Sequence, residues 1–376
     1  MNTVLVSGGI AKSLVNFRLP LLKELQKRNF SVIVSAAEEK DKVCQRLADE
    51  GISFYSAQIQ RAGINPKEDW EYFQFLRDLN RDLQPDIVLG YTHKAAIYTS
   101  LASGRARSFS LITGLGYAFM EDNKVFDVKR TMARRALCFL YKQALRCNEL
   151  TFFQNEEDRN EFVVRGLVLR DKTKVVNGSG VDLDYFQPAG LPQDPVFLLI
   201  ARLLTEKGLR EYREAAKTVR NNHAKARFYL VGGLDPNPAA LSKEELDSWV
   251  QEGMIEYLGE LEDVRPSIRE ASVYVLPSYR EGTPRTVLEA MAMGRPIITT
   301  DVPGCRNTVE EGVNGFLVPP RDADALADAM LQFIDNPQLI PNMGKESLRI
   351  AREKYDVHKV NAEMLEAMGI SWDDEV

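Results

Sequence analysis

Short apolar runs alternate with amphipathic stretches along almost the whole chain. In the first half, runs at 2–7, 30–36, 52–56, 86–90, 108–112 and 150–154 predict strands. Stretches at 38–50, 66–83 and 94–103 carry the wider spacing of helices. Val32-Ile33-Val34 and Ile87-Val88-Leu89 are apolar at successive positions, as strands covered on both faces of a parallel sheet are. The second half repeats the pattern, with strands at 196–201, 227–231, 255–258, 272–276, 296–300 and 315–318. Its helices fall at 207–221, 242–252, 284–293, 323–334 and 338–353. The alternation predicts an α/β protein of βα units wound on parallel sheets. Between the halves, Asn177 to Pro188 and then Ala189-Gly190-Leu191-Pro192-Gln193-Asp194-Pro195 have the Gly, Pro and Asp density of a linker. A boundary near 186 gives a first domain over 1–185 and a second over 186–354. Both read as doubly wound domains facing each other across a cleft. Ligands of such sheets bind at the carboxyl ends of strands.

Composition narrows the class. At roughly 150 residues per domain, 376 residues fit two domains. With 44% apolar and 27% charged residues, disorder, a collagen-like chain and a small disulfide scaffold are excluded. No apolar run approaches the roughly 20 residues that span a bilayer. The strand-like start Met1-Asn2-Thr3-Val4-Leu5-Val6 lacks the basic flank of a secretory leader. A net charge of −6 argues against nucleic acid as a partner. The charge is uneven, +4 over 1–185 and −10 over the rest. Either an anionic ligand or surface meets the first half, or surface charge has drifted. Cys44, Cys138, Cys147 and Cys305 form no Cys-x-x-Cys pair, so reduced, cytoplasmic thiols are expected and a zinc site is not.

Several stretches carry candidate chemistry. The strand Val273-Tyr274-Val275-Leu276 stops at Pro277, and a helix is expected to follow with Thr283 as N-cap and Pro284 at its first position. Gly282 permits close approach, and the first-turn N–H groups suit an anion. Glu281 precedes that turn and Glu289 lies on the helix, so both are placed to accept hydrogen bonds from sugar hydroxyls. The alternative is a surface pair flanking a capped helix. The strand 196–201 ends at Arg202, and Lys207 opens the next helix. Two cations at a sheet's carboxyl edge suit a diphosphate, and a salt bridge from Arg202 to Glu206 is the other reading. Gly8-Gly9 at the end of the first strand lets a ligand approach the backbone. The surrounding Gly8-Gly9-Ile10-Ala11-Lys12-Ser13 is neither a dinucleotide fingerprint nor a P-loop. Asp182-x-Asp184 has the form of a metal motif, but its place in the linker favours a turn. His93 follows the strand 86–90, where ligand contacts and structural histidines both occur. From 124 to 147, Lys124, Lys129, Arg130, Arg134, Arg135, Lys142 and Arg146 face only Asp127. Phe126, Met132, Leu137, Phe139, Leu140, Tyr141 and Leu145 stand between them. This is either an interfacial helix or a core-packed helix with a solvated basic face.

Taken together, these motifs resemble the family 4 retaining glycosyltransferases of the GT-B fold. Glu281-x7-Glu289 in the setting Pro277-Ser278-x-x-Glu281-Gly282 matches the family's E-x7-E signature. Ala201-Arg202 with Lys207-Gly208 matches its phosphate-binding pair. The interdomain segment is matched by Gly178-x-Gly180-Val181-Asp182 with Phe186 and Pro188, and the C-terminal part by Val302-Pro303-Gly304 and Asn314-Gly315-Phe316. A narrower resemblance is to bacterial PglA-type and capsule-type transferases acting on polyprenyl-diphosphate-linked sugars. It rests on Asn16-Phe17-Arg18-Leu19-Pro20, His93-Lys94, Thr113-Gly114-Leu115-Gly116 and Val231-Gly232-Gly233-Leu234-Asp235-Pro236-Asn237-Pro238.

The resemblance implies transfer of a sugar, an N-acetylhexosamine such as N-acetylgalactosamine, from a UDP-sugar to a polyprenyl-diphosphate-linked saccharide. Retention of configuration is implied, with no metal and no cofactor beyond the UDP-sugar as co-substrate. Arg202 and Lys207 would stabilise the leaving diphosphate. Glu281, with Gly282, Thr283 and Pro284, would hold the sugar, and Glu289 the ribose. Gly259 and Leu261 would border the base. Gly8 and Gly9 would meet the diphosphate or sugar, and His93 the donor sugar. Arg18, Arg130, Arg134 and Arg135 would hold the acceptor's anionic lipid diphosphate at the cytoplasmic membrane face. A C-terminal helix near 355–376 would pack on the first domain. Competing readings are a GT-B-fold nucleotide-sugar epimerase and a catalytically silent sugar-nucleotide-binding protein.

Overall fold

The computed structural model describes residues 2–37, 41–58, 65–115, 128–235, 237 and 239–371, and the side chains of these except 41 and 128–130. The chain divides into two compact units, Met1–Ser179 with Val360–Val376, and Gly180–Lys359.

In the first unit the strands are β1 (Asn2–Ile10), β2 (Phe30–Ala37), β3 (Ser53–Ser56), β4 (Ile87–Tyr91), β5 (Arg107–Ile112), β6 (Leu150–Phe153) and β7 (Thr173–Val175). They form one sheet in the order β3-β2-β1-β4-β5-β6-β7. Every neighbouring pair is parallel, with Val4 opposite Val32 on one side and Ile87 on the other. The helices are α1 (Ala11–Lys27), α2 (Asp41–Asp49), α3 (Pro66–Leu83), α4 (His93–Leu101), α5 (Val128–Arg146) and α6 (Glu156–Val164). Alternate strand residues serve two cores. Val4, Val6, Leu89 and Leu111 pack with Leu14, Leu22 and Leu25 of α1. Ile112 and Phe153 pack with Ile97 of α4, Tyr141 of α5 and Phe162 of α6. Each such leucine or phenylalanine withdraws enough apolar surface to contribute about 1.5–3 kcal/mol.

The second unit holds β8 (Val196–Ile200), β9 (Arg227–Val231), β10 (Glu256–Tyr257), β11 (Val273–Leu276), β12 (Ile297–Thr300) and β13 (Gly315–Val318) in the order β10-β9-β8-β11-β12-β13, again all parallel. Its helices are α7 (Leu209–Asn222), α8 (Lys243–Gln251), α9 (Arg265–Arg269), α10 (Arg285–Ala292), α11 (Ala323–Asp335) and α12 (Leu339–Lys354). Phe197, Leu199 and Val275 face Leu209 and Tyr212 of α7 and Met330 of α11. Leu198, Ile200 and Tyr274 face Val287 and Met291 of α10 and Ile350 of α12. A last helix, α13 (Val357–Ala367), carries Met364 and Leu365 into the first unit's core, with Met368 and Ile370 after it.

Strand order reverses direction between β1 and β4 in one sheet and between β8 and β11 in the other. Those switch points open the carboxyl edge to ligands. The helices that leave these strands have no side-chain cap: α1 starts after Ile10, α4 after Thr92, α7 after Gly208 and α10 after Pro284. By contrast α3, α6, α8 and α11 are capped by Asn65, Asn155, Ser242 and Asp322. Side-chain oxygens thus satisfy N–H groups at those four helices, whereas the helices at the switch points, like α9 and α12, have none.

The structure differs from the sequence expectation in several places. The unit boundary lies at Gly180 rather than near 186. Val181 exchanges hydrogen bonds with Tyr355 and Val357, and the buried Arg295 donates to the carbonyls of Ala189 (2.9 Å) and Gly190 (2.8 Å). Those bonds fasten the Gly/Pro-rich stretch to the second unit. Strand β7 and helix α6 are additional elements. β7 is a half-exposed three-residue edge without alternation, whereas α6 is announced by Asn155 and the acidic run Glu156-Glu157-Asp158. β1 runs on to Ile10, past the expected 2–7, through a register shift after Ser7, so Gly8 and Gly9 lie inside its irregular end. α10 begins at Arg285 with Pro284 as its N-cap, one residue later than expected. Pro284 has φ −73° and ψ 108°, and the residue before a proline is itself held extended, so neither joins the helix.

Candidate functional site

In the second unit the predicted residues gather at the β8/β11 switch. Arg202 follows β8, and Lys207 does not open the next helix as expected but ends a 3-10 turn over Thr205–Lys207, with α7 starting at Leu209 after the left-handed Gly208. Gly208, at φ +70°, closes that turn, and a Cβ there would lie 2.1 Å from the Pro277 carbonyl oxygen. Only glycine lets the turn pack directly on the end of β11, which sets Lys207 beside the loop 277–282. Lys207 Nζ donates to Glu281 Oε1, and Ser278 Oγ donates to the same oxygen at 2.8 Å. Both charged side chains are largely buried, 13% and 16% exposed. Arg202 is 57% exposed and reaches Asp235 at 3.4 Å, not Glu206. A long, exposed contact of this kind is weak, so the guanidinium stays available to a stronger anion.

The loop around Glu281 is held from several sides. The Glu281 N–H donates to the Pro303 carbonyl at 3.2 Å, and a Cβ on Gly304 would lie 2.3 Å from the carbonyl oxygens of Glu281 and Gly282. Tyr279 donates its N–H to Glu206 (2.9 Å) and its hydroxyl to Glu211 (2.8 Å). Thr286 Oγ1 bonds Tyr274 Oη (2.6 Å) and the Ile200 carbonyl (3.2 Å), tying the start of α10 to the ends of β8 and β11. Thr283 and Pro284 stand at that start. Glu289, one helical turn on, is buried and accepts from Arg285 Nε at 2.9 Å. Burial pushes its carboxyl above the ordinary range, and Arg285 pulls it part of the way back. Cys305, also buried, has its thiol pushed up to about 12, first by burial and then by Glu281, so it packs as a neutral group. Gly259 accepts the Gly232 N–H at 2.9 Å beside Leu261, which is half-buried against the β8 side of the sheet. Asp182 Oδ1 accepts the N–H groups of Asp184 and Tyr185 at 3.0 Å each, the geometry of a turn. Among the described residues no group of three or more His, Cys, Asp or Glu could hold a metal ion.

In the first unit Gly8 and Gly9 lie at the end of β1, and His93 opens α4 after the neighbouring β4, so all three belong to the β1/β4 switch. Thr92 has φ +77° and ψ 168°, a region that non-glycine residues rarely occupy. Its Oγ1 would lie 3.2 Å from a Cβ on Gly9. Such strain is of order 1–3 kcal/mol and persists where the surroundings over-determine it. Partly buried His93 follows, with Nδ1 2.7 Å from Tyr141 Oη. Burial lowers its pKa to about 4, which keeps the imidazole neutral.

The basic segment divides. Tyr141, Ala144 and Leu145 of α5 are buried, while Met132 and Phe139 are 66% and 62% exposed. Arg135, Lys142 and Arg146 are exposed beside them and Arg134 is half-exposed. The helix is therefore core-packed on one side and both apolar and basic on the other. The side chain of Arg130, like Lys124, Phe126, Asp127 and the side chain of Lys129, lies outside the described residues, as do Gly116, Pro236 and Pro238. Arg18 is not a surface cation: it is 2% exposed, with its guanidinium 4.9 Å over the Tyr91 ring. Its place on the inward stripe of α1 between Val15 and Leu22 removes it from any membrane surface. Among the described residues no helix is long and apolar enough to cross a membrane.

Several contacts were not anticipated from the sequence. Arg285 stands four residues before Glu289, a helical spacing that could have been read. Ser278 belongs to the same Pro277–Gly282 stretch as Glu281. Asp235 and Tyr141 stand in stretches singled out above, but no local signal pairs them with Arg202 and His93, and Thr92 is marked only by its backbone strain.

Comparison with known proteins identifies relatives of this chain. Residues 194–336 match the family "Glycosyl transferases group 1" and residues 10–148 match "Glycosyl transferase 4-like". The chain is 30% identical to the N,N'-diacetylbacillosaminyl-diphospho-undecaprenol alpha-1,3-N-acetylgalactosaminyltransferase of Campylobacter jejuni, over 92% of each chain. It is 25% identical to the Escherichia coli UDP-Gal:alpha-D-GlcNAc-diphosphoundecaprenol alpha-1,3-galactosyltransferase, over 85% of this chain and 87% of that one. Among solved structures, the fold is shared with sucrose-phosphate synthase from Thermosynechococcus elongatus (TM-score 0.78, 17% identity, 98% of each chain). It is shared also with Anabaena HepE in complex with UDP-glucose (TM-score 0.76, 18% identity, 98% of this chain and 100% of that one). Two parallel α/β units, a switch-point cluster of cations and carboxylates in one of them, and relatives of nearly full length lead to one assignment: the chain belongs to the glycosyltransferases of GT-B fold related to the transferases of polyprenyl-diphosphate-linked sugars.

Proposed function

We propose that the protein transfers an N-acetylhexosamine, such as N-acetylgalactosamine, from a UDP-sugar to a polyprenyl-diphosphate-linked saccharide, with retention and without a metal ion. The observation that carries the reading is the cluster at the β8/β11 switch, where Lys207 pairs with Glu281 beside the exposed Arg202. A diphosphate leaving group gains negative charge as its bond to the sugar breaks. Lys207 has three N–H donors and uses one on Glu281, so the others remain to meet that charge. Arg202 adds a bidentate donor, exchanging its long contact with Asp235 for the stronger phosphate one. Preorganised donors of this kind contribute roughly 2.7–4 kcal/mol each to catalysis. Glu281 and the 282–284 backbone hold the sugar, Glu289 the ribose, and Gly259 and Leu261 border the base. Gly8, Gly9 and His93 are the first unit's contacts to the donor.

The acceptor reading is supported by the outer face of α5. Met132 and Phe139 stand among Arg134, Arg135, Lys142 and Arg146, a combination that suits an anionic membrane surface, here the cytoplasmic one. Each cation near such a surface contributes about 1 kcal/mol. The relatives acting on undecaprenyl-diphosphate-linked sugars support the same acceptor class. The test is incubation with a panel of UDP- and GDP-sugars and several lipid-linked acceptors, with products read by mass spectrometry and anomeric configuration by NMR. An α-linked product from an α-linked UDP-N-acetylhexosamine is expected. An epimerised nucleotide sugar, an inverted linkage or no turnover with any pair would refute the proposal.

A further inference from the structure

His93 is one of only three histidines in the chain, and it opens α4 directly after the strained Thr92. Its Nδ1 lies 2.7 Å from the hydroxyl of Tyr141, and the rings meet nearly edge-on, 77° apart. Tyr141 is fully buried on the inner side of α5, with Phe162 packed on its ring at 5.0 Å and Phe153 behind that at 5.2 Å. The phenol is therefore fixed by packing before any ligand arrives. Burial raises its pKa and lowers that of the imidazole, so both groups are neutral at physiological pH.

A neutral imidazole carries one proton, and the hydrogen bond made by one nitrogen decides which nitrogen holds it. A phenol donates its O–H more strongly than its oxygen accepts. We infer that Tyr141 is a positioning residue for His93: its hydroxyl donates to Nδ1, so the ring proton sits on Nε2 and points an N–H donor away from the core. The groups a sugar nucleotide offers at a strand's carboxyl end, hydroxyl and phosphate oxygens, are acceptors that this tautomer matches. The opposite tautomer would present a bare nitrogen and repel a phosphate oxygen. The inference rests on the reading of His93 as a donor contact, and it gives α5 a function on its inner side as well as its outer one.

The test begins with the unaltered full-length protein, labelled with 15N-histidine, with the His93 signals assigned through His93→Gln. Expected at neutral pH is a protonated Nε2 and a hydrogen-bonded, unprotonated Nδ1. In Tyr141→Phe the Nδ1 signal should lose its hydrogen-bond shift, and the tautomers should mix. The same variant should lower kcat about tenfold, which corresponds to about 1.4 kcal/mol, and change the donor KM much less. A proton on Nδ1 in the unaltered protein overturns the inference without any variant. An unchanged His93 spectrum in Tyr141→Phe does so as well. If the spectra are as expected but His93→Gln transfers sugar at the normal rate, the role of His93 is overturned, and that of Tyr141 with it.

Discussion

The Lys207–Glu281 pair allows catalysis and stability to be separated in a double-mutant cycle. Lys207→Ala removes the cation beside the largely buried Glu281 carboxylate, which keeps the hydrogen bond from Ser278, and Glu281→Ala removes the carboxylate that accepts from the Lys207 ammonium. The side chains are 13% and 16% exposed, between a surface pair and a fully buried one. Interpolating between roughly 0–1 kcal/mol for exposed pairs and 3–5 for buried ones gives a cost of about 2 kcal/mol for either single change. For a unit of this size, that lowers Tm by about 4–8 °C. In the double variant both charges of the pair are gone, so its cost should be near that of one single, a coupling of about 1–2 kcal/mol. Activity should behave differently. On the proposed function each single change removes a group that would meet the reacting sugar diphosphate and should lower kcat by about 10²–10³, and the double variant should regain none of it. Scanning calorimetry and transfer of radiolabelled sugar measure the two quantities on the same preparations. A double variant that recovers activity along with stability would mean the pair only shapes the loop. Near-normal turnover in both singles would place the chemistry elsewhere.

Gly208→Ala combines about 1–2 kcal/mol for the left-handed backbone with about 1–3 for displacing the Pro277 carbonyl. It should lower Tm and raise the donor KM together, and an unchanged Tm would contradict the packing described for the Lys207 turn. Glu289 holds its proton above the ordinary value of 4.5, so its protonated form favours the folded state in acid, and that contribution is lost as pH rises from 4.5 through the folded-state value. Glu289→Gln should remove this decline, whereas parallel plots of Tm against pH for the two proteins would show that Glu289 is not perturbed. Met132→Ser with Phe139→Ser should reduce cosedimentation with anionic vesicles several-fold while leaving Tm nearly unchanged, because both side chains are exposed in the structure. Undiminished binding would remove α5 from the membrane contact.

The sequence made the sheets legible because their strands are short and continuously apolar, and parallel pairing follows from that pattern. Glu281, Glu289, Arg202 and Lys207 were legible through spacing next to strand ends. Their partners were not. Asp235 lies 33 residues beyond Arg202, Tyr141 48 residues beyond His93, and only the packed sheet brings each pair together. Arg18 misled because charge suggests a surface, while its neighbours Val15, Leu19 and Leu22 mark the buried stripe of α1. The start of α10 was misplaced by one residue because Pro284 fits both the N-cap and the first helical position, and only its extended ψ distinguishes them.

The central claim is that Arg202 and Lys207 hold the pyrophosphate of the donor at the β8/β11 switch. A crystal structure with an intact UDP-sugar, or with UDP alone, tests it most directly. The account predicts pyrophosphate oxygens within hydrogen-bond reach of both cations and ribose hydroxyls at Glu289. A nucleotide bound with its phosphates away from Arg202 and Lys207 would contradict it.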